Sequence, residues 1–206
     1  MFPSNVWLGH HVCVMITGAS RGLGRQLALS LAQHFADYHR RRVADSPATA
    51  DTDYSLSFVL LSRDGPALQT LSQELSAIDI DGQRIHTVDI ICGSLDDHMT
   101  IQSFERTCET IAADTGRAYD QLVIVHNAGS LGDVCQLTAD YGSDSGAKIA
   151  AYLALNLTSV MQMTGIFLRH FRAVQHKTIV NITSLAAVSA FKGLSLYCIG
   201  VVCFVY

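Results

Sequence analysis

Ser184 and Tyr197 stand thirteen positions apart near the end of the chain, with Asn156 upstream of both. A hydroxyl that polarises a carbonyl and a phenol that donates a proton suit reduction by hydride, a nicotinamide supplying the hydride itself. Taken alone, Ser and Tyr at such spacing read first as ordinary core or surface positions. The chemical reading therefore depends on whether the same chain can hold a dinucleotide.

The segment Thr17-Gly18-Ala19-Ser20-Arg21-Gly22-Leu23-Gly24 meets that requirement. It follows an apolar run of strand length and precedes a stretch of helical period. Glycines there let the backbone turn tightly and approach a pyrophosphate, whose charge is met by the free N–H groups of a helix N-terminus. The spacing is G-x-x-x-G-x-G, and its strand-to-helix context favours dinucleotide binding over a plain glycine turn. At the end of the second expected strand stand Ser62-Arg63-Asp64. Arg63 with Arg21 would clamp a ribose 2′-phosphate and favour NADPH; the alternative is a solvated Arg63 with Asp64 on a free 2′-hydroxyl. Asp89-Ile90 ends a third strand, where a carboxylate accepts from an adenine amino group. His126-Asn127-Ala128-Gly129 follows the fourth, where an open sheet changes direction and ligands sit.

The elements that must position these groups alternate between short apolar runs and longer helical stretches, the pattern of a parallel sheet covered on both faces. Strands are expected at 12–17, 56–62, 84–88, 122–125 and 178–183, in the order 3-2-1-4-5. A helix follows the glycines with Leu23, Leu27, Leu31 and Phe35 on one buried stripe. Further helices are expected at 66–77, from about Ser94 with Asp97 completing a capping-box-like start, and at 145–171. Residues 37–54, with Arg40-Arg41-Arg42 and Pro47, read as an inserted loop with a solvated basic run.

The 206 residues suit one domain, 1–206, and 49% hydrophobic with 16% charged residues describes a folded globular chain. A net charge of −4 gives no general attraction to nucleic acid or to anionic lipid. Six cysteines show no C-x-x-C pair, and His and Cys never gather at zinc-ligand spacing, so no metal and a reduced, cytoplasmic chain are expected. No signal peptide or membrane anchor is expected, and the sequons at Asn156 and Asn181 read as coincidental.

With these residues in view, the chain resembles the short-chain dehydrogenase/reductase family. The pieces that carry the likeness are ITGASRGLGRQLA from Ile16, HNAGSLGDV from His126, ALNLTSVM from Ala154 and VNITSLAAVSAFKGLSLYCIG from Val180. SLGD and FKG-x-x-LYC resemble the pterin-reducing branch of that family. The resemblance implies NADPH-dependent reduction of pterin side-chain carbonyls in tetrahydrobiopterin synthesis, by a cytosolic homodimer. It implies that Gly18, Ala19, Ser20, Arg21, Gly22, Leu23 and Gly24 hold the phosphates. Arg63 and Asp64 would sit at the adenosine ribose, Asp89 and Ile90 at the adenine, and Asn127, Ala128 and Gly129 along the nicotinamide. Asn156 would support a proton relay, Thr183 and Ser184 would meet the substrate carbonyl, and Tyr197 would contact cofactor and substrate as proton donor.

Two departures stand out. His126 replaces the usual first Asn of N-N-A-G, and Val201 occupies the lysine position of Tyr-x-x-x-Lys. A cation about 4 Å from a phenolate at an effective dielectric near 20 is worth roughly 4 kcal/mol, so its loss is expected to cost about three orders of magnitude in rate. Against the family pattern the chain is also expected to be truncated, lacking most of the Tyr197 helix, two further strands and the C-terminal segment whose acidic residue holds the pterin. An exposed sheet edge and apolar helix face should result, and the atypical tail 201–206 reads as a β-prone, aggregation-prone segment.

Overall fold

The computed structural model describes residues 11–45, 54–80, 83–114, 118–134 and 137–202. Strand β1 (His11–Thr17) lies in the middle of a parallel sheet, paired on one side with β2 (Ser55–Ser62) and on the other with β6 (Gln121–His126). Because both faces are covered, β1 is apolar on both, and its period of two sends alternate side chains to two cores. Val14 and Ile16, with Phe58 and Leu60, pack against α1 (Gly22–Asp45) and α2 (Gly65–Ser76) through Ala28, Phe35, Leu68 and Leu71. Cys13, Met15, Val59 and Ile124 pack on the other face against α3 (His98–Ala113) and α5 (Ser159–His170) through Phe104, Cys108, Met163 and Phe167. Each such fully buried side chain contributes about 1.5–3 kcal/mol.

The sheet is completed by β5 (His86–Cys92) beyond β2 and β7 (His176–Asn181) beyond β6, giving the expected order 3-2-1-4-5 once a short antiparallel pair, β3 (Asp79–Ile80) with β4 (Gln83–Arg84), is set aside. β7 is an edge of the sheet among the described residues and is largely exposed, with Ile179 39% accessible. Leu185, Val188 and Ile199, on the elements that follow β7, are also exposed.

Several expectations need correction. α1 continues to Asp45, so residues 37–45 are helix; residues 46–53 of the expected loop lie outside the described residues. The extension is held by His39, buried and stacked on Tyr54 with centroids 3.9 Å apart, and by Asp37, which accepts from Gln33 and pairs with Arg40. Leu31 and Phe35 are buried as expected and Leu27 packs partly buried on the same core, with Ala28 and Ala32 completing the stripe of α1, but Leu23 is 53% exposed. Asp97, not Ser94, caps α3, its carboxylate accepting from Met99 N at 3.1 Å. The third strand of the sheet runs from His86 to Cys92 rather than 84–88, because it must match β2 as far as Ser62. Val201 and Val202 continue α6 (Ser195–Val202) as helix, and the rest of the tail, 203–206, lies outside the described residues.

The long helix expected at 145–171 is present as α4 (Gly146–Leu153), a π-helical turn (Ala154–Thr158) and α5. Residues 146–170 are long and apolar enough by composition to cross a membrane, but Met163, Ile166 and Phe167 pack against the sheet and are buried there. The π turn inserts one residue into the helical ladder at the level of Asn156, a distortion that recurs at functional sites.

Candidate active site

At the carboxyl end of β1 the chain leaves the sheet through two glycines in the left-handed region, Gly18 at φ +66° and Gly22 at φ +56°. A Cβ on Gly18 would stand 2.9 Å from Asn127 Nδ2, and one on Gly24 would stand 2.4 Å from the carbonyl oxygen of Gly18. The loop is therefore packed against the first turn of α1 and against the loop after β6, as a backbone that approaches a phosphate must be. A Cβ on Gly22 would meet nothing within 4 Å, because that residue borders an open cleft. The first turn of α1 carries no acidic side chain. Its free N–H groups are left to an anion.

Thr17 joins the two loops. Its hydroxyl accepts from Asn127 N at 2.9 Å and Ala128 N at 3.0 Å and donates to Val125 O at 3.3 Å, while Asn127 Nδ2 donates back to the carbonyls of Thr17 and Gly18. The cleft so formed has a volume of about 720 Å³. Of the expected cofactor residues, Gly18, Ser20, Arg21, Gly22, Arg63, Asp64, Asn127, Ala128 and Gly129 line it. Arg21 and Arg63 are exposed and form no ion pair among the described residues. Asp64 caps α2 by accepting from Ala67 N at 3.1 Å. A nicotinamide dinucleotide fits this set: a glycine turn, a free helix terminus and two cations, Arg21 in the glycine loop and Arg63 after β2.

Other expected cofactor residues lie elsewhere. Ala19 is buried, bonded through its N–H to Leu61 O, and neither Leu23 nor Gly24 faces the cleft. Asp89 and Ile90 do not reach it either. The register of β5 on β2 shifts between Phe58 and Val59, skipping Val88, so Asp89 turns toward α3 and its carboxylate accepts from the Thr107 hydroxyl. On the β5 side the cleft is lined by Gly93, Ser94 and Leu95, the residues after the true end of β5. Matching β5 to the length of β2 would have found them from sequence.

Three of the expected reacting residues meet in a second cavity of about 210 Å³ that shares Asn127, Ala128 and Gly129 with the cleft. Asn156, Thr183, Tyr197 and Val201 all line it. Asn156 is buried, accepting from Ser130 N at 2.8 Å and donating to Tyr152 O at 3.0 Å, so it ties the loop after β6 to the π turn. Thr183 donates to Val201 O at 3.2 Å, which holds the start of the loop after β7 against the helix that carries Tyr197. Ser184 is not part of the lining; its hydroxyl oxygen caps the short 3-10 turn Leu185–Ala187 by accepting from Ala186 N at 3.2 Å.

Two buried groups near this cavity, Tyr152 and His126, were not among the expected site residues. Tyr152 packs its ring on Gly132 and its hydroxyl on Gly200, and burial, reinforced by Tyr197 and Cys198, pushes its phenol up to about 12. His126, 4% exposed, bonds Thr164 Oγ1 at 2.9 Å through Nε2, and burial lowers it to about 4. No cation lines the cavity among the described residues. Elsewhere, the fold brings Glu105, Glu109 and His170 to one surface, although no metal-ligand spacing was legible in sequence; Arg169 already pairs with Glu105.

A parallel 3-2-1-4-5 sheet with a glycine-rich cleft at its switch point defines a Rossmann-like architecture. The short chain dehydrogenase family model matches residues 52–200, and the chain belongs to that family. It is 34% identical over 195 residues to sepiapterin reductase of Meriones unguiculatus, covering 94% of this chain and 64% of that protein. It is 30% identical to sepiapterin reductase of Xenopus laevis over the same shares. The chain thus spans a little under two thirds of these relatives. A benzil reductase of Bacillus subtilis is 27% identical over 89% of this chain and 59% of its own length. Among solved structures, a short chain dehydrogenase from Shigella flexneri superposes with a TM-score of 0.66 at 18% identity, covering 94% of this chain and 63% of that one. A short-chain dehydrogenase from Sphingobium yanoikuyae in complex with NADPH gives 0.59 at 20%, covering 92% and 60%.

Proposed function

We propose that the chain is an NADPH-dependent carbonyl reductase of the sepiapterin reductase type, acting on the side-chain carbonyl of a pterin in the cytoplasm. The observation that carries this reading is the continuity of the two cavities: the residues that border the dinucleotide cleft, Asn127 to Gly129, also border the cavity holding Asn156, Thr183 and Tyr197. A hydride donor lying in the cleft and a proton donor in the adjoining cavity can reach one carbonyl from two sides.

In this reading Arg21 and Arg63 meet the 2′-phosphate, and the first turn of α1 meets the pyrophosphate. Asn127 holds the glycine loop in register with the loop after β6. When bound, the nicotinamide supplies hydride. Tyr197 gives its phenol proton to the substrate oxygen, and Asn156 keeps the wall of the cavity in place through Ser130. The likeness to sepiapterin reductases supports the pterin substrate, and by the same likeness the active form is a homodimer.

Val201 favours a second reading, a chain that binds NADPH without turning over substrate. A binder must gain melting temperature when NADPH is added. Turnover is followed as loss of NADPH absorbance with sepiapterin. The absence of a thermal shift at millimolar NADPH discards the dinucleotide site. A shift without turnover leaves the second reading. Turnover about three orders of magnitude below that of a lysine-bearing relative agrees with the first and with the work of a cation at position 201.

A further inference from the structure

Tyr152 on α4 reaches two other elements at the two glycines that leave room for it. A Cβ on Gly132, in the loop after β6, would stand 2.9 Å from Tyr152 Cδ2, and Gly132 is held at φ +68°. A Cβ on Gly200, in α6, would stand 2.6 Å from the Tyr152 hydroxyl oxygen and 2.9 Å from Cε1. Gly200 follows Tyr197 by three residues on the same helix, a spacing that puts both on one face, and both line the cavity of about 210 Å³. The backbone of Tyr152 adds a further tie: its carbonyl accepts from Asn156 Nδ2, and Asn156 Oδ1 accepts from Ser130 N in the loop after β6. One residue thus stands between that loop and the helix that carries Tyr197. Its hydroxyl makes the arrangement costly. Tyr152 is 7% exposed, and its oxygen has no hydrogen-bond partner among the described residues. A buried hydroxyl without a partner destabilises a fold, and phenylalanine would fill most of the same space without it. The oxygen nonetheless occupies the hollow left by the missing Cβ of Gly200. In a close-packed interior the length of the phenol then fixes how near α6 comes to α4.

We propose that Tyr152 is a positioning residue for Tyr197: its phenol, wedged between Gly132 and Gly200, sets the distance of α6 from α4 and from the loop after β6, and with it the place of Tyr197 in the cavity. This rests on the carbonyl-reductase reading. Tyr152 exchanges no proton and acts by its size alone. Burial, reinforced by Tyr197 and Cys198, keeps its phenol protonated, which suits a spacer. The cost of the unpartnered oxygen is borne by the fold, and the gain falls on the geometry of the reaction, where a displacement of about 1 Å is worth as much as a hundredfold in rate.

The test pairs Tyr152→Phe with Gly200→Ala. Tyr152→Phe removes the unpartnered oxygen, so the melting temperature should hold or rise, while kcat for sepiapterin falls by about fivefold with KM and NADPH affinity kept. A structural role alone would move stability and turnover together. Gly200→Ala drives a methyl into the phenol oxygen and should lower kcat by about thirtyfold, although alanine is the better helix former. In the double variant the methyl takes the place of the missing oxygen, and kcat should return to within about fivefold of the native chain. A reading that needs no turnover is the rate at which a thiol reagent modifies Cys198, which adjoins Tyr197 on α6 and is half-buried, followed on its peptide by mass spectrometry. Labelling should be faster in Gly200→Ala and close to native in the double variant. An unchanged kcat in Tyr152→Phe, or a loss from Gly200→Ala that is the same in the Tyr152→Phe background, overturns the proposal. If no variant turns over sepiapterin, the reductase reading falls and Cys198 still decides: labelling at the native rate in Gly200→Ala, or no recovery in the double variant, overturns the wedge.

Discussion

Replacing Thr17 by Val should loosen the junction on which the cofactor cleft depends. Thr17 is 1% exposed, and its hydroxyl takes the N–H groups of both Asn127 and Ala128. Valine has the same shape and no acceptor, so two amides lose their partner at once. A fully buried orphan amide costs about 1–3 kcal/mol, and since these two are only partly buried the lower end applies to each, for a total of about 2 kcal/mol. In a chain of this length that lowers the melting temperature by about 4–8 °C. Urea unfolding followed by circular dichroism measures the loss, and NADPH titration of the folded protein should show weaker binding because the loops carrying Gly18 and Asn127 are no longer tied. Thr17→Ser keeps the oxygen and should recover most of the difference, short of about 0.8 kcal/mol for the missing methyl. A Thr17→Val chain within about 0.5 kcal/mol of the native one, or a serine variant as unstable as the valine one, refutes the reasoning.

Three further outcomes follow from the site. Arg63→Ala should weaken NADPH by about tenfold and leave NADH nearly unchanged, since an exposed guanidinium on a 2′-phosphate is worth on the order of 1 kcal/mol; equal losses for both dinucleotides would remove Arg63 from the phosphate. Burial lowers His126 to about 4 from its ordinary 6.5, so the unfolded chain takes up that proton first as pH falls. The stability it contributes is whole above pH 6.5 and is lost between 6.5 and 4, and His126→Asn should therefore lose about 2 kcal/mol less than the native chain between pH 7 and pH 5, measured by urea unfolding. Cys92 is exposed, with its thiol on Arg63 O, whereas Cys13 and Cys108 are buried and burial pushes the Cys108 thiol well up. A thiol reagent should modify Cys92 ahead of both, NADPH should slow it, and labelling of Cys108 at a comparable rate would contradict a core closed over that thiol.

The strands and the glycine loop were legible because their signals are local. Five apolar runs of strand length, each followed by a helical stretch, admit few arrangements other than a parallel sheet. A glycine pair between strand and helix announces the anion site. The errors came where a neighbour element decides. Residues 37–45 are polar enough to read as loop, yet His39 is stacked under Tyr54, which lies on the far side of the insertion. Asp89 is an acidic residue near a strand end, but the register shift at Val59 sends it to α3 and passes its expected place to Gly93 and Ser94.

The sequence alone determined the sheet order and the place of the glycine turn between β1 and α1, since each follows from hydrophobic period or glycine conformation within a few residues, and it supplied the candidate reacting side chains from functional-group chemistry. Tertiary structure decided which of these side chains meet. Thr17 reaches across 110 positions to the backbone of Asn127 and fixes the cleft. Asn156 is turned inward by a π turn that no residue pattern announces. His126 and Val201 come to share one cavity with Tyr197 because β6, the π turn and α6 converge there. Such contacts depend on register and packing between distant segments, and local residue preferences carry no record of them.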